Sequence, residues 1–232
     1  MEAGVLQQAI DRLTGSTIAD LPVDDALQLI IESSHDVFGL AGTGLMLIDD
    51  LDVLRYVAAS DARASVLETV QEQTGEGPCV DSAVYARVVE TEDATVDERW
   101  PKLARALKGC GVRGVLGVPI CLNDHAVGSL NAYSEEPHAW DESDRAAMRA
   151  FEVLIEGLLQ ASIAAHRKGA SIDQLQYALE HRVVIERAVG MIMERQHIDA
   201  PAAFERLRTV ARRRRARTAD VAERHLAGEE LD

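Results

Sequence analysis

Residues 174–221 carry the most constraining pattern in the chain, a succession of three amphipathic helical segments. In the first segment, apolar residues recur at helical spacing, at Leu175, Leu179, Val183, Ile185, Ala188 and Ile192. This spacing predicts a helix with one broad apolar face that ends near Gln196 and His197. Asp199 then has a side chain suited to cap a second helix, since its carboxylate can accept hydrogen bonds from free backbone N–H groups.

The second and third segments complete a small helical bundle. The second segment carries one apolar stripe, which consists of Ala203, Phe204, Leu207, Val210 and Ala211. Thr218 is the N-cap candidate of the third segment. That segment is short, and its inward apolar positions are Val221, Ala222 and Leu226. Because the connections are short, the apolar stripes are buried by packing on one another, which predicts a three-helix bundle.

The distribution of charge draws attention to the end of the second segment. The chain has a net charge of −15, which by itself argues against a nucleic-acid partner. Residues 171–232, however, contain 11 arginines and 11 acidic residues, so the excess acidity lies ahead of them. The dense basic patch of the chain consists of Arg212, Arg213, Arg214, Arg215 and Arg217. On composition alone, a helix end that balances its dipole and an RNA contact are about equally consistent with this patch.

Residues 181–212 resemble an ANTAR domain, the three-helix RNA-binding module of bacterial transcription antiterminators. The resemblance rests on matching positions in order, namely Arg182, Ile185, Ala188, Gly190, Met193, Ala203, Phe204, Leu207, Arg208 and Ala211, with Val221 and Ala222 in the last helix. It implies binding to paired stem-loops in a nascent transcript, which would compete with an overlapping terminator. The residues expected to contact RNA are Gly190, Arg208 and the five arginines of the basic patch. Val189 departs from the family, which often has lysine there, so a phosphate contact by that lysine is missing.

Ahead of the bundle, helices and strands mix without regular alternation. The pattern predicts a weak amphipathic helix within residues 1–14, a helix over 24–38 and a hairpin over 45–58. Further helices are expected to begin near Asp61, near Cys79 and after Trp100, the last of them capped by Gly111. Asn123 and Asp124 mark a second hairpin. Hairpins in place of βαβ units predict an α+β fold, with an antiparallel sheet flanked by helices.

This front part resembles a GAF domain over roughly residues 20–165. The motifs that carry the resemblance lie at residues 58–61, 71–79, 99–101, 111–120 and 128–134. GAF-like sensors precede ANTAR modules in proteins of this type, so each resemblance supports the other. We therefore expect a GAF-like sensor domain over residues 1–165 and an ANTAR-like domain over residues 166–232.

A small-molecule ligand of the GAF-like domain is a further expectation, although the sequence does not identify it or any cofactor. The predicted pocket residues are Cys79, Trp100, Asn131 and Tyr133. Cys79 at a helix N-terminus would have its thiolate favoured by the helix dipole, which suggests redox sensing. A small buried residue after a Gly-Pro turn is the more ordinary interpretation. The histidines lack metal-ligand spacing and no catalytic motif is found, so neither a metal site nor an enzyme is expected.

A long helix capped by Asp141 is predicted to join the two domains. With Lys168 as the one polar interruption, its apolar residues recur at steps of three and four, at Phe151, Leu154, Leu158, Ala161, Ala165, Ile172, Leu175 and Leu179. Such a heptad seam predicts a parallel coiled coil, and hence a homodimer through residues 141–180. Residues 169–171 are a potential hinge, because glycine weakens a helix by roughly 1 kcal/mol.

These patterns together predict a cytoplasmic, signal-responsive regulator that binds tandem RNA stem-loops and promotes transcription antitermination. The odd number of cysteines fits reduced thiols, and no targeting or membrane-spanning segment is found in the sequence. One alternative is a helix-turn-helix DNA-binding regulator, against which the acidic start of the third helix argues. Another is a redox or small-molecule sensor that acts through protein partners.

Overall fold

The computed structural model describes residues 18, 21–38, 41–49, 53–123, 125–165 and 170–231, which divide into two compact units. The larger one, here called the front unit, comprises most of the chain up to Ile172, and the C-terminal unit contains the chain from Asp173 onward. The helix predicted within residues 1–14 lies outside the described residues. None of the described helices combines the length and the apolarity needed to cross a membrane.

The front unit contains a five-stranded antiparallel sheet and flanking helices, which confirms the predicted α+β class. The strands are β1 (Gly42–Ile48), β2 (Leu54–Ala59), β3 (Val89–Thr91), β4 (Val115–Leu122) and β5 (His125–Tyr133). The helices are α1 (Val23–Phe38), α2 (Ala62–Thr74), α3 (Pro78–Tyr85), α4 (Pro101–Ala106) and α5 (Glu142–Ala164). The strand order is β2-β1-β5-β4-β3, so β5 is central and pairs with both β1 and β4.

Local signals place the ends of several elements as predicted. The Asp61 carboxylate caps α2 by accepting from the backbone N–H groups of Arg63 at 2.7 Å and Ala64 at 2.9 Å. Gly75 ends α2 in the left-handed region at φ 66°. Asn123, also left-handed at φ 50°, follows β4 in the β4–β5 hairpin. Helix α4 is shorter than predicted, because it ends at Ala106, and Gly111 lies in the turns that follow it.

Helix α5 starts at a capping box and packs against α1 and β4. Its fully buried side chains are Ala147, Met148, Phe151, Ile155, Leu159 and Ser162. The predicted heptad seam therefore contributes only Phe151 to this core, while Leu154 and Leu158 are half-buried and Ala161 and Ala165 are exposed. Helix α5 ends at Ala164 and the next helix begins at Ala170, and the part of the predicted joining helix between residues 165 and 170 lies outside the described residues.

The C-terminal unit contains three helices, as predicted. They are α6 (Ala170–Gln196), α7 (Ala200–Arg214) and α8 (Thr218–Leu226), and the Asp199 carboxylate caps α7 by accepting from Ala202 N–H at 2.9 Å. Their shared core includes Ile185, Ala188, Ile192, Ala203, Leu207, Val210, Ala211, Ala219, Val221 and Ala222.

Two details of this bundle differ from the prediction. Val183, expected on the apolar face of α6, is 49% exposed. The reason is geometric: Val183 and Ile185 are separated by about 200° around the helix, so both cannot face the core. The N-cap of α8 is Arg217 rather than Thr218, which is the first helical residue and is buried.

Candidate functional site

The arginines at the end of α7 fall into two classes. Arg212 pairs with Glu205 of the same helix, and Arg214 pairs with Glu229 and also donates to the Glu230 carbonyl at 3.3 Å. The side chains of Arg213 and Arg215 are exposed, and neither forms an ion pair within the described residues. A run that looks uniform in sequence therefore contains two arginines paired with carboxylates and two exposed arginines without such a pair among the described residues.

The backbone turns sharply at Arg215. It is the C-cap of α7 in the left-handed conformation, with φ 51° and ψ 42°, and its N–H donates to the carbonyls of Ala211 and Arg212. Residues other than glycine adopt this left-handed backbone conformation at a cost of about 1 kcal/mol or more. The turn places Arg215 beyond the helix end and leads the chain into Arg217 at the start of α8.

The other predicted RNA-contacting residues differ in accessibility. Only 12% of the Arg208 side chain is exposed, and it lies 3.3 Å from the Glu205 carboxylate with its guanidinium over the Phe204 ring. Arg217 is exposed, and its guanidinium carbon lies 4.1 Å from the centre of the Tyr177 ring. Arg208 therefore belongs largely to the bundle, whereas Arg217 belongs to its surface.

Gly190 lies on the exposed side of α6. A Cβ atom built there would meet no atom within 4 Å, so the packing of the protein does not require glycine at this position. Ala188, two residues earlier, is fully buried in the core of the unit. Tight packing therefore accounts for Ala188, while the absence of a side chain at Gly190 leaves the helix backbone open to an external group.

In the front unit, a polar cluster lies buried between helices α2 and α3 and strand β5. It consists of Glu68, Gln71, Cys79, Ser129 and Asn131, all fully or almost fully buried. Asn131 Nδ2 donates to Glu68 Oε1 at 2.9 Å, and Ser129 Oγ donates to Asn131 Oδ1 at 2.6 Å. Gln71 Oε1 accepts from the Cys79 N–H at 3.0 Å, and Gln71 Nε2 donates to Cys79 Sγ. The cluster satisfies its members by mutual hydrogen bonds.

Glycines in the neighbouring strands make room for this cluster. Asn131 is paired across the sheet with Gly44 of β1 and Gly117 of β4. A Cβ atom on Gly44 would lie 2.3 Å from Glu68 Oε1, and one on Gly117 would lie 2.9 Å from the Pro78 carbonyl oxygen. Gly117 therefore permits the close approach of the α3 backbone to the sheet, whereas Gly44 makes room for the Glu68 side chain.

Burial controls the protonation of the cluster. It raises the pKa of Glu68 to about 8, against which the hydrogen bond from Asn131 acts. Burial, followed by the nearby Glu68 charge, also raises the pKa of the Cys79 thiol well above its ordinary value. The helix dipole at the start of α3 is thus outweighed by desolvation, and Cys79 is held as a thiol rather than a reactive thiolate.

The four predicted pocket residues lie in two environments. Cys79 and Asn131 belong to the polar cluster, whereas Trp100 and Tyr133 belong to an apolar cluster with Leu67, Leu103 and Val115. The Trp100 indole N–H donates to Asp81 at 3.0 Å, and the Tyr133 hydroxyl donates to Asp61 at 2.9 Å.

Glu68 and Gln71 were not found from the sequence. Both lie on the inward face of α2, and no hydrophobic pattern marks polar residues that face a core.

No group of three or more His, Cys, Asp or Glu side chains in the described part of the chain is arranged to hold a metal ion.

Family models match both parts of the chain. A GAF domain model matches residues 22–157, and an ANTAR domain model matches residues 173–224. No curated protein matches the sequence.

Solved structures support the fold of the front part. The GAF domain of an Acinetobacter phosphoenolpyruvate-protein phosphotransferase has a TM-score of 0.56 at 16% identity, with 71% of this chain and 96% of that chain covered. The corresponding domain from Coxiella burnetii has a TM-score of 0.55 at 18% identity, with the same coverage of 71% and 96%. A free methionine-R-sulfoxide reductase from Neisseria meningitidis, solved with its substrate, has a TM-score of 0.54 at 19% identity, with 69% and 89% covered. At these identities the likeness establishes the fold alone.

Proposed function

The chain belongs to the GAF domain family and carries an ANTAR domain, and on this premise we propose that it binds RNA stem-loops in nascent transcripts and promotes transcription antitermination. The observation that carries the proposal is the exposed pair Arg213 and Arg215, whose guanidinium groups face solvent at the end of α7. Guanidinium groups bridge phosphates and stack on unpaired bases, which are the two contacts that RNA loop recognition requires.

Gly190 supports the same interface from helix α6. A glycine inside a helix costs about 1 kcal/mol relative to alanine, and here no internal contact requires it. An RNA backbone that approaches α6 closely would use the space that a side chain would otherwise fill. Val189, in place of the lysine often found in the family, leaves the phosphate contacts to the arginines of the basic patch.

The front unit acts in this proposal as a sensor without catalytic activity. A signal shifts RNA binding only if it binds one state of the protein more tightly than another. A ligand that contacts Cys79 and Asn131 would have to replace the hydrogen bonds of the polar cluster, because these groups are buried and already paired with one another. Trp100 and Tyr133, the other two proposed pocket residues, lie in the apolar cluster. A cytoplasmic location fits this function, because nascent bacterial transcripts are made there.

A homodimer through residues 141–180 is part of the proposal. The half-buried Leu154 and Leu158 and the exposed Val153, Ala161 and Ala165 leave apolar surface on α5 beside its core-facing side. Two bundles in a dimer would bind tandem stem-loops with a gain from effective concentration. Sedimentation analysis of Leu154→Glu with Leu158→Glu should give a monomer and weaken binding to two hairpins more than to one.

RNA binding is tested by gel shift with a tandem stem-loop RNA and with duplex DNA of the same length. We expect the double variant Arg213→Ala, Arg215→Ala to lose at least tenfold in affinity. It should also reduce the slope of log K against log salt by about 1.4, which corresponds to two phosphate contacts on a single strand. A preference for palindromic duplex DNA would overturn the proposal in favour of a helix-turn-helix regulator.

The matched control is Arg212→Ala with Arg214→Ala, which removes the same charge. Its effect should be smaller, because those guanidinium groups are engaged by Glu205 and Glu229. Equal losses in both double variants would contradict the division into occupied and available arginines. Unchanged binding in both would remove the arginine patch as the RNA site. In vitro transcription across a terminator that overlaps the stem-loops should show read-through with the wild-type protein and much less with the Arg213→Ala, Arg215→Ala variant.

A further inference from the structure

Three side chains form a stack on the surface of the C-terminal unit. The Tyr177 and His181 rings, one turn apart on α6, are stacked with centroids 4.0 Å apart and planes inclined by 22°. The Arg217 guanidinium carbon lies 4.1 Å from the centre of the Tyr177 ring. Tyr177 and His181 are half-buried and Arg217 is exposed, and none of the three belongs to the buried core of the bundle.

Helix capping does not account for arginine at position 217. Arg217 occupies the N-cap of α8, but its side chain makes no capping hydrogen bond to the free N–H groups of that helix. Ser, Thr, Asp or Asn at an N-cap typically adds about 1 kcal/mol. The chain therefore forgoes a stabilising cap and instead places a planar cation over an aromatic ring.

The surrounding charges favour a base rather than a phosphate at this stack. Asp173 and Glu180 flank Tyr177 on the same helix, at four residues before and three after, and their carboxylates repel a phosphate group. The available arginines Arg213 and Arg215 lie shortly before Arg217 in the chain and can hold the adjoining backbone. Phosphate contacts and a stacking surface thus lie side by side along one short segment.

We propose that Tyr177, His181 and Arg217 form a stacking platform for one unpaired nucleobase of the RNA loop. The proposal rests on the RNA-binding function proposed above and adds the chemical group that this surface takes. Aromatic rings and guanidinium planes are the groups on which splayed loop bases stack, and such stacking tolerates different bases because each has a π face. The platform fixes which part of the loop meets the protein, while the arginines of the basic patch hold the phosphates.

The test is a double-mutant cycle in which a protein substitution and an abasic RNA position are introduced separately and together, and the RNA affinity is measured each time. A tandem stem-loop RNA is first selected from a pool with randomised loops, and single loop nucleotides are then replaced by abasic residues. We expect one abasic position to weaken wild-type binding about tenfold and Tyr177→Ala to weaken binding of the intact RNA by a similar factor. For Tyr177→Ala that abasic position should cause no further loss, because the stacking partner is already absent.

Further variants separate stacking from charge and from folding. Arg217→Lys keeps the charge but removes the guanidinium plane, so it should lose affinity without changing the salt slope. Tyr177→Phe should bind like wild type, which shows that α6 tolerates substitution there. His181→Ala gives a second approach should Tyr177→Ala fail to fold. Tyr85→Ala is the matched control, since Arg87 lies 5.0 Å over an exposed tyrosine ring there in the front unit.

The outcomes distinguish the two proposals. Failure of the wild-type protein to select any RNA would overturn the proposed function and the platform together. RNA binding that responds to Arg213→Ala with Arg215→Ala, but not to Tyr177→Ala or His181→Ala, would overturn the platform alone. Additive losses from Tyr177→Ala and every abasic position would also overturn it, because no nucleotide would then be coupled to the ring.

Discussion

Raising the pH should destabilise the front unit through the buried carboxyl of Glu68. Burial raises the pKa of Glu68 to about 8, from 4.5 in an exposed setting. Between pH 4.5 and pH 8 the unfolded chain therefore releases the carboxyl proton while the folded chain keeps it. The free energy of unfolding therefore falls as the pH rises through this window, by at most about 1.4 kcal/mol per pH unit.

The full effect follows from the width of the window. Below pH 4.5 the carboxyl is protonated in both states and contributes nothing. Above pH 8 it is ionised in both states, and the accumulated loss is roughly 5 kcal/mol. Between pH 6 and pH 8 the expected loss is about 2 kcal/mol, which is large compared with the usual precision of unfolding measurements.

Urea unfolding followed by tryptophan fluorescence measures this loss in the full chain. The two tryptophans, Trp100 and Trp140, are both buried in the front unit, so the signal reports on that unit. Glu68→Gln replaces the carboxyl by a group that does not titrate. The difference in unfolding free energy between wild type and this variant should change by about 2 kcal/mol from pH 6 to pH 8.

The comparison cancels the other titrating groups. The pKa values of Asp81 and Glu152 are also raised, chiefly by burial, but both residues are present in both proteins. Glu72→Gln, on the same helix, is the control, because its carboxylate is partly exposed and pairs with Arg55 at 2.8 Å. If the free energy of unfolding changed with pH in the same way for wild type and Glu68→Gln, the argument would be refuted, since a buried carboxyl with a raised pKa must make the two curves diverge.

Two further predictions concern the front unit and one the bundle. Ala86, left-handed at φ 50° after α3, should stabilise the front unit by up to about 1 kcal/mol when replaced by glycine, as measured by the same fluorescence assay. Cys79 should react with a thiol reagent only upon unfolding, whereas the partly exposed Cys110 and Cys121 should react in the folded protein; rapid labelling of Cys79 would restore the redox hypothesis. Asp199→Ala should destabilise α7 by about 1 kcal/mol, which hydrogen exchange of that helix can detect.

Local chemistry made most of the element ends predictable from the sequence. Asp61 and Asp141 cap helices and Gly75 ends one, because the side chain or the backbone freedom of a single residue satisfies nearby groups. The three-helix bundle was also predictable, because its apolar residues recur at a spacing that places them on one face of a helix and on no single face of a strand.

The inward face of α2 was not predictable, because polar residues are buried there while an apolar residue of the same helix is exposed. Val66 on this helix is 41% exposed, while Glu68 and Gln71 are fully buried. The buried Glu68 carboxyl is stabilised by a partner distant in sequence, Asn131, which is 63 residues away. The state of the arginines was hidden for the same reason, since Arg214 is occupied by Glu229 from beyond the next helix. Hydrogen bonds and ion pairs of this kind depend on the assembled fold rather than on local spacing.

Local choices that disfavour folding coincide with the proposed RNA surface. Gly190 lies inside a helix, Arg215 adopts a left-handed conformation, and Arg217 occupies an N-cap without capping it. Each costs about 1 kcal/mol relative to the residue that the local backbone favours. Departures from local rules are expected at functional sites.

This coincidence gives a prediction with opposite signs for folding and binding. The triple variant Gly190→Ala, Arg215→Gly, Arg217→Asp should stabilise the C-terminal unit by about 2 kcal/mol if the effects add, because the cap gained at residue 217 is offset by the lost contact with Tyr177. The added methyl at residue 190 meets no atom within 4 Å, so it introduces no clash of its own. Far-UV circular dichroism during unfolding measures the gain, and gel shift with the selected RNA should show at least a hundredfold loss. A more stable variant that binds RNA as tightly as wild type would show that these residues are unoptimised rather than functional, because selection for binding would then have no reason to retain them.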